Sequence, residues 1–553
     1  MSGTDGRSKK GSNFLIQGSI LAAAGIIVRL IGILYRIPMT NIIGDEGMGY
    51  YSTAFNVYNI MLILSSYSLP VAVSRMVSAK LARKEYRNVY RIFIVAMIYA
   101  TIVGSAAFFV TWFGADFFAN HVFATPLAVY ALRALAPTIW LMAYLGVLRG
   151  FFQGHGTMLP TAVSQILEQI VNAIISVVAA FYLFRMGNSS FWAEKGAGYA
   201  EAFGAAGGTI GTGMGAFAAF LFVLGLFILY RPTIRRRCRR DESGSSDRFG
   251  KVGSALLSIT IPVILSSTIY NINSVIDNGI MAHGMAMTGQ GDRFLSLWGI
   301  FNNKYMLLVN VPLAMANSLS SSLIPSISGA CARKDVREMV KKTGLVIRFS
   351  MLIAIPCTVG LTVLAGPSMN LLFHSGDNTE AIRMMVYGST VILFLSMSTV
   401  SNAILQGLGR FREPVKNALI ALILHIIVLV IMLIPLRMGI YALVHSKIFF
   451  AVLMCWLNQR SIRAAIPYRQ EFRRTFLIPG AASAVMGIFA WLIYHGVYSV
   501  VPINIAAIAV SVGFAVLVYG AVLLLLRGIT EEELRHMPGG TRLVSLAKKC
   551  RLM

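Results

Sequence analysis

From about residue 14 to residue 526 the sequence is a succession of apolar runs, each long enough to cross a membrane and each closed by a short polar turn. A run of about 20 apolar residues crosses a bilayer as an α-helix, because lipid offers the backbone no hydrogen-bond partners and a helix satisfies its own. The runs place fourteen spans at 14–40, 49–79, 89–112, 126–149, 157–184, 197–230, 252–282, 294–328, 343–366, 382–406, 415–435, 440–459, 475–495 and 503–526. Only 13% of the 553 residues are charged and mean hydropathy is +0.70, whereas a soluble domain carries roughly 25% charged residues. An ordinary soluble enzyme and a disordered chain are both excluded, and the expected fold class is an all-α integral membrane protein. Arg7, Lys9 and Lys10 before the first run resemble a signal peptide, but the apolar stretch continues past Arg29 to about Ile37, too long for a cleaved apolar core.

The turns alternate in charge. Those on the side of the N-terminus hold 36 of the 48 lysines and arginines, and the opposite turns hold only Arg185, Lys195, Arg293 and Arg437. Basic loops stay in the cytoplasm, so both termini are expected inside a multi-pass plasma-membrane protein with an even number of spans. The formal charge of +26 then reports orientation and contact with anionic membrane lipids, and nucleic-acid binding is not needed to explain it. The five cysteines include no CxxC pair and none falls on the outer side, so no disulfide framework is expected.

The chain also repeats itself. Phe55-Asn56 opens a span ending in Ala82-Arg83-Lys84-Glu85-Tyr86-Arg87, and Phe301-Asn302 opens one ending in Ala332-Arg333-Lys334-Asp335-Val336-Arg337. Leu148-Arg149-Gly150 with Gly154-His155-Gly156 returns as Leu405-Gln406-Gly407-Leu408-Gly409. Both echoes lie about 250 residues apart, or six spans, so the repeat is parallel, as in many secondary transporters whose halves rock around a central site. The expected organisation is an N-lobe at 1–230, a basic cytoplasmic linker at 231–251 read as solvated, a C-lobe at 252–460, and helices 13 and 14 with a cytoplasmic tail at 461–553. No phosphate loop, HExxH or Cys/His cluster appears, so neither ATPase nor metal chemistry is indicated. The glycines at 204, 207, 208, 211, 213 and 215 are read as close helix packing.

Charges within spans are costly and usually face a cavity or a partner. Arg75, Arg348 and Arg383 lie near span ends, where snorkelling accounts for them; Arg133 and Lys447 lie about two turns inside and are compatible with either reading. Arg29 and Arg36, seven residues apart, share a face of the first helix. The second span carries Ser52, Asn56, Asn59 and Ser66; the seventh, Asn273 and Asp277; the eighth, Asn303, Asn310 and Asn317 at seven-residue spacing beside Lys304. Any one stripe is equally well interhelical hydrogen bonding. Together they occupy the first two spans of each half, which places one cavity on the pseudo-symmetry axis with Arg29, Arg36 and Lys304 against the single acid Asp277. A net positive pocket in low dielectric selects an anionic substrate. Glu168 and His425 are further ion-coupling candidates, Glu168 through an arginine pair or a proton, His425 through titration near neutrality.

The stretch Arg29-Leu-Ile-Gly-Ile-Leu-Tyr-Arg36-Ile-Pro, then Gly44-Asp-Glu-Gly47-Met-Gly-Tyr-Tyr51 and Phe55-Asn-Val-Tyr58, resembles the polysaccharide-biosynthesis and sporulation-protein-B branch of the multidrug/oligosaccharidyl-lipid/polysaccharide (MOP) exporter superfamily, which includes MurJ-type lipid II flippases of Gram-positive bacteria. The resemblance implies translocation of an undecaprenyl-diphosphate-linked sugar precursor by alternating access. It implies that Arg29, Arg36 and Lys304 meet the diphosphate and that the last two helices form a groove for the lipid tail; the polar stripes add Asn56, Asn59, Asn273, Asn303 and Asn310 to the expected site. It also raises sodium coupling through Asp277, although the eleventh span lacks the second acid; a proton or the membrane potential is the other drive. No cofactor and a monomer are expected. The alternatives are a flippase for another polyprenyl-linked glycan of capsule, teichoic acid or spore cortex, a cation-coupled multidrug exporter of the same superfamily, which would need an acidic cavity, and a membrane-embedded glycosyltransferase, which would need a large external loop.

Overall fold

The computed structural model describes residues 20–21, 23–193, 196–241, 247–374 and 376–528. The apolar runs become helices, and among the described residues there is no strand. The chain order is α1 (Ala23–Leu34), α2 (Arg36–Leu62), α3 (Leu69–Ala82), α4 (Tyr86–Phe113), α5 (Ala128–Gly154), α6 (Leu159–Gly187), α7 (Tyr199–Arg239), α8 (Phe249–Met287), α9 (Gly291–Ile300), α10 (Met306–Ala332), α11 (Val336–Val363), α12 (Ala365–Leu372), α13 (Thr379–Gly388), α14 (Thr390–Gly407), α15 (Arg412–Leu433), α16 (Ile440–Ala465), α17 (Ile478–Val500) and α18 (Asn504–Leu525). Among the described residues, eleven helices are long and apolar enough to cross a membrane. The other three expected spans fall on α1, on α8 and on α9–α10.

Two backbone features set the register of the first helices. Gly44, at φ 70° and ψ −178°, breaks α2, so residues 36–43 complete the first expected span and the second begins beyond the break. Only glycine adopts that conformation without a Cβ penalty. The second feature is a π-helical turn in each of the repeat-related spans, at Ile63–Tyr67 and Phe301–Tyr305. A π-turn inserts one extra residue and rotates everything beyond it.

The helices divide into two compact units, one ending at Asn303 and one starting at Lys304. In the first, α7 lies along α6, and α9 packs on α2. In the second, α10 packs on α14, α15 on α16, and α17 on α18. The lobes at 1–230 and 252–460 describe kinship within the sequence, which is a separate matter from this division by contacts.

That kinship is visible inside each unit. Glu85 N–H donates to Lys80 O at 3.0 Å and Lys84 N–H to Leu81 O at 3.0 Å; 250 residues on, Asp335 N–H donates to Ala330 O at 3.1 Å and Lys334 N–H to Cys331 O at 3.0 Å. These are two Schellman closures, each with a left-handed lysine, Lys84 at φ 59° and Lys334 at φ 56°. Gly156 and Gly409 close α5 and α14 in the same way. A Cβ on Gly154 would lie 2.6 Å from the Val77 Cβ, and one on Gly407 3.0 Å from the Ile327 Cβ. One close contact is thus built twice.

The glycine run of α7 is a packing surface, as read. A Cβ on Gly207 would lie 2.5 Å from the Ala179 carbonyl carbon and oxygen, one on Gly204 2.5 Å from Ile43 Cγ2, and one on Gly208 2.7 Å from Met39 Sδ. Backbone cannot yield to a side chain as a flexible tip can, so we expect Gly207→Val to cost about 1–3 kcal/mol or more. A thermal melt of the purified protein in detergent checks this, and an unchanged midpoint would show that α6 and α7 are not in contact.

The described parts of the stretch read as a solvated linker, 231–241 and 247–251, are docked instead. Residues 231–239 continue α7 as helix. Arg87 N–H donates to Asp241 Oδ2 at 2.6 Å and its Nε to Cys238 O at 3.2 Å; Arg91 Nη1 donates to Asp247 O at 2.6 Å, and Asp247 N–H to Asn88 Oδ1 at 3.0 Å. Lys80 bridges Glu85, at 2.6 Å, and Asp247, and its hydrogen bonds hold both carboxyls below the ordinary range. Asp241 and Asp247 bind the loop at 80–91, a pairing that a count of net charge hides.

Candidate substrate site

Arg36 is the focal residue. It sits at the start of α2, and its guanidinium lies 5.9 Å from the centre of the Tyr51 ring. The Tyr35 and Tyr51 hydroxyls are 2.9 Å apart, and both interact with the guanidinium. Arg36 Nε is nevertheless buried with no hydrogen-bond partner. A buried donor without a partner is uncommon and marks a place for water or ligand. Tyr35 and Tyr51 were missed as site residues, because aromatic residues in an apolar run read as bulk hydrophobe.

Around α2 the first unit gathers more polar groups. Asn278 Nδ2 on α8 donates to Thr53 Oγ1 at 3.3 Å. Asn303 Nδ2 donates to Ser52 Oγ at 2.6 Å and to Met48 O at 3.2 Å. Asp277, next to Asn278, is buried. Asn56 Nδ2, Asn273 Oδ1 and Asn278 Oδ1 are buried without hydrogen-bond partners. The structure therefore brings Asn56, Asn273, Asp277 and Asn303 to buried positions on the α2, α8 and α9 side of this unit. Arg29, Asn59 and Asn310 are exposed.

The seven-residue asparagine stripe does not survive as one face. Asn303 is buried and Asn310 exposed, because the π-turn at Phe301–Tyr305 advances the register between them. Lys304 is fully buried in the second unit, where its Nζ donates to Asn378 Oδ1 at 3.0 Å and lies 5.6 Å from the Phe373 ring centre. It holds the end of α12 and the turn before α13.

Glu168 takes the arginine-pair alternative. Arg149 Nη2 meets Glu168 Oε2 at 2.8 Å, and Arg149 Nε donates to Ser164 Oγ at 2.9 Å. The apolar run ends the fourth span at 149, whereas α5 runs on to Gly154 and takes Arg149 inside the helix. Arg348, read as snorkelling, pairs with Glu471 at 2.7 Å, and Arg133 pairs with Asp116 at 2.7 Å. His425 is buried, with Nδ1 2.9 Å from Ser446 O and its ring edge-on to Phe450. Four described cysteines, Cys238, Cys331, Cys357 and Cys455, are free thiols.

A multi-pass helical bundle that holds a guanidinium with an unmet donor beside two tyrosine hydroxyls, in a sequence built of two parallel repeats, has the construction of a membrane transporter, not an enzyme. The chain belongs to the polysaccharide biosynthesis protein family, whose pattern it matches over residues 15–331. It is 24% identical over 496 residues to the lipid II flippase MurJ of Bacillus subtilis (strain 168), covering 86% of this chain and 88% of that one. It is 25% identical over 540 residues to the stage V sporulation protein B of the same organism, covering 96% and 99%. Its fold superposes on a structure of lipid II flippase MurJ in an inward closed conformation, with TM-score 0.63, 13% identity and coverage of 91% of this chain and 97% of that one. An inward-facing multidrug resistance MATE transporter gives TM-score 0.64 at 16% identity, covering 79% and 95%.

Proposed function

We propose that this protein is a flippase that carries a polyprenyl-diphosphate-linked glycan precursor, lipid II in the first instance, from the inner to the outer leaflet by alternating access. The observation that carries the reading is Arg36, half-buried, whose Nε is a buried donor left unmet beside two tyrosine hydroxyls. A planar fork of donors suits phosphate oxygens, and an acidic drug-cation cavity is not what these residues make. Arg29 joins Arg36 at the diphosphate, and Lys304 contributes when its Asn378 contact opens. The fourteen-span topology, cytoplasmic termini, the two lobes, the tail groove of α17 and α18 and the monomeric state belong to the same proposal. So does drive by the membrane potential, with Asp277 and His425 as the residues to test for ion coupling.

The match to a sporulation protein over nearly the full length of both chains favours one second reading, a precursor dedicated to spore envelope. Complementation separates the two: rescue of a strain depleted of its lipid II flippase supports the first, and rescue of sporulation alone supports the second.

Outward movement of a dianion is favoured by about 2.3 kcal/mol per charge per 100 mV when the inside is negative. We expect collapse of the potential in proteoliposomes to slow flipping on the order of tenfold or more. A rate that ignores the potential and follows a sodium gradient would remove potential drive and return Asp277 to the centre of the mechanism.

A further inference from the structure

A cavity whose lining does not include Arg36 lies where α5 ends, α6 begins and α7 turns basic. It has a volume of about 460 Å³, with Phe152, His155, Leu226, Leu229, Tyr230 and Arg237 among its walls. Four of these walls come from one helix, α7, and they change character along it. Leu226 and Leu229 lie at the apolar end, Tyr230 follows, and Arg237 stands about 16 Å beyond Leu226 at 1.5 Å per residue. Leu229 is 78% exposed, so the apolar end opens outward. Opposite it, the His155 ring stands edge-on to Tyr230 at 5.6 Å, and Phe152 lies 6.3 Å from Tyr230. Arg237 itself rests 5.9 Å from the Tyr86 ring centre.

A cavity that grades from leucine through aromatic rings to one guanidinium, at the level where a membrane helix becomes basic, matches the polarity of a lipid. Tyrosine at such a boundary presents an apolar body and a polar tip. Burial and the neighbouring Arg237 depress the titration of His155, against a hydrogen bond from its ring to the Phe151 carbonyl, so the imidazole is neutral at pH 7. The polar end then presents the single cation Arg237. That suits one phosphodiester, with charge −1, better than a diphosphate. The leucines exclude free phosphate as the intended occupant, since an inorganic ion gains nothing from them.

We propose that this cavity holds one anionic glycerophospholipid, its phosphodiester on Arg237 and the start of one acyl chain along Leu226 and Leu229. The site is separate from the substrate path. A protein that held the lipid but flipped nothing would leave this proposal standing and refute the flippase reading.

Native mass spectrometry of the full-length protein in detergent, supplied with phosphatidylglycerol or phosphatidylethanolamine, tests it. The expected result is about tenfold preferential retention of one phosphatidylglycerol, equivalent to about 1.4 kcal/mol. Arg237→Gln should remove the preference, and Arg237→Lys should keep most of it. Arg236→Gln makes the same change of charge one residue away and should keep all of it, and Leu229→Gln should weaken retention of both lipids. Equal losses in Arg237→Gln and Arg236→Gln would show a diffuse basic surface and overturn the site. Displacement by inorganic phosphate as efficient as by lipid, or by undecaprenyl diphosphate at lower concentration than by phosphatidylglycerol, would overturn it too, the latter by making the cavity an entry point for substrate.

Discussion

Arg36→Ala abolishes flipping while the protein remains inserted at normal abundance: this is the expected result if the Arg36 guanidinium is the diphosphate contact. A buried donor left without its partner costs about 1–3 kcal/mol, more for a charged group. Removing Arg36 relieves the Nε of that condition, so the fold has little to lose and transport has much. Arg29→Ala is expected to act in the same direction. Arg29→Lys and Arg36→Lys should recover only part of the activity, because a lysine offers a point charge where the fork bonds in pairs. Growth complementation of a flippase-depleted strain, read together with membrane abundance, measures both sides. Full complementation by Arg36→Ala and Arg29→Ala would end the clamp reading and most of the case for an anionic substrate.

The second large effect concerns stability. Arg149 is 7% exposed and lies within α5, tied to Glu168 and Ser164. Removing one partner of a buried pair strands the other charge, at a cost of about 3–5 kcal/mol. We therefore expect Glu168→Ala to lower the thermal midpoint and abundance severely. Glu168→Gln should be milder, since its amide oxygen still accepts from Arg149. Arg149→Met combined with Glu168→Leu should recover much of the loss, because replacing both charges with apolar groups of similar size is often neutral. A Glu168→Ala protein of normal stability that no longer transports would identify a proton-carrying carboxylate instead. The second unit ties its own helices with a neutral network: Asn458 Nδ2 donates to Asn402 Oδ1 at 2.8 Å, and Asn417 donates to Asn458 at 2.9 Å.

The helices and the repeat were legible in the sequence for the same reason. Bilayer thickness sets the length of an apolar run, and the motif around Lys84 recurs at Lys334 in letters as it does in hydrogen bonds. What was not legible was which faces meet. Glu168 and Arg149 lie nineteen residues apart on two helices, and no periodicity on either one points to the other. The asparagine spacing from Asn303 to Asn310 is seven, the period of a regular helix face, and a single π-turn moves the two off that face. Tyr35 and Tyr51 show a third limit: their rings satisfy the apolar pattern while their hydroxyls do the polar work beside Arg36. The linker showed a fourth, because its net charge concealed Asp241 and Asp247, which dock it.

The two left-handed lysines bear on how the chain enters the membrane during synthesis. Glycine is the residue that suits the closing position of a Schellman turn, and any residue with a Cβ is strained there. Lys84 and Lys334 occupy it in both copies. Each follows a span that returns towards the basic side, where a positive charge resists translocation and fixes the orientation of what has been made so far. A glycine would relax the turn and take one positive charge from that side. Each copy of the turn thus keeps a small backbone strain together with its charge.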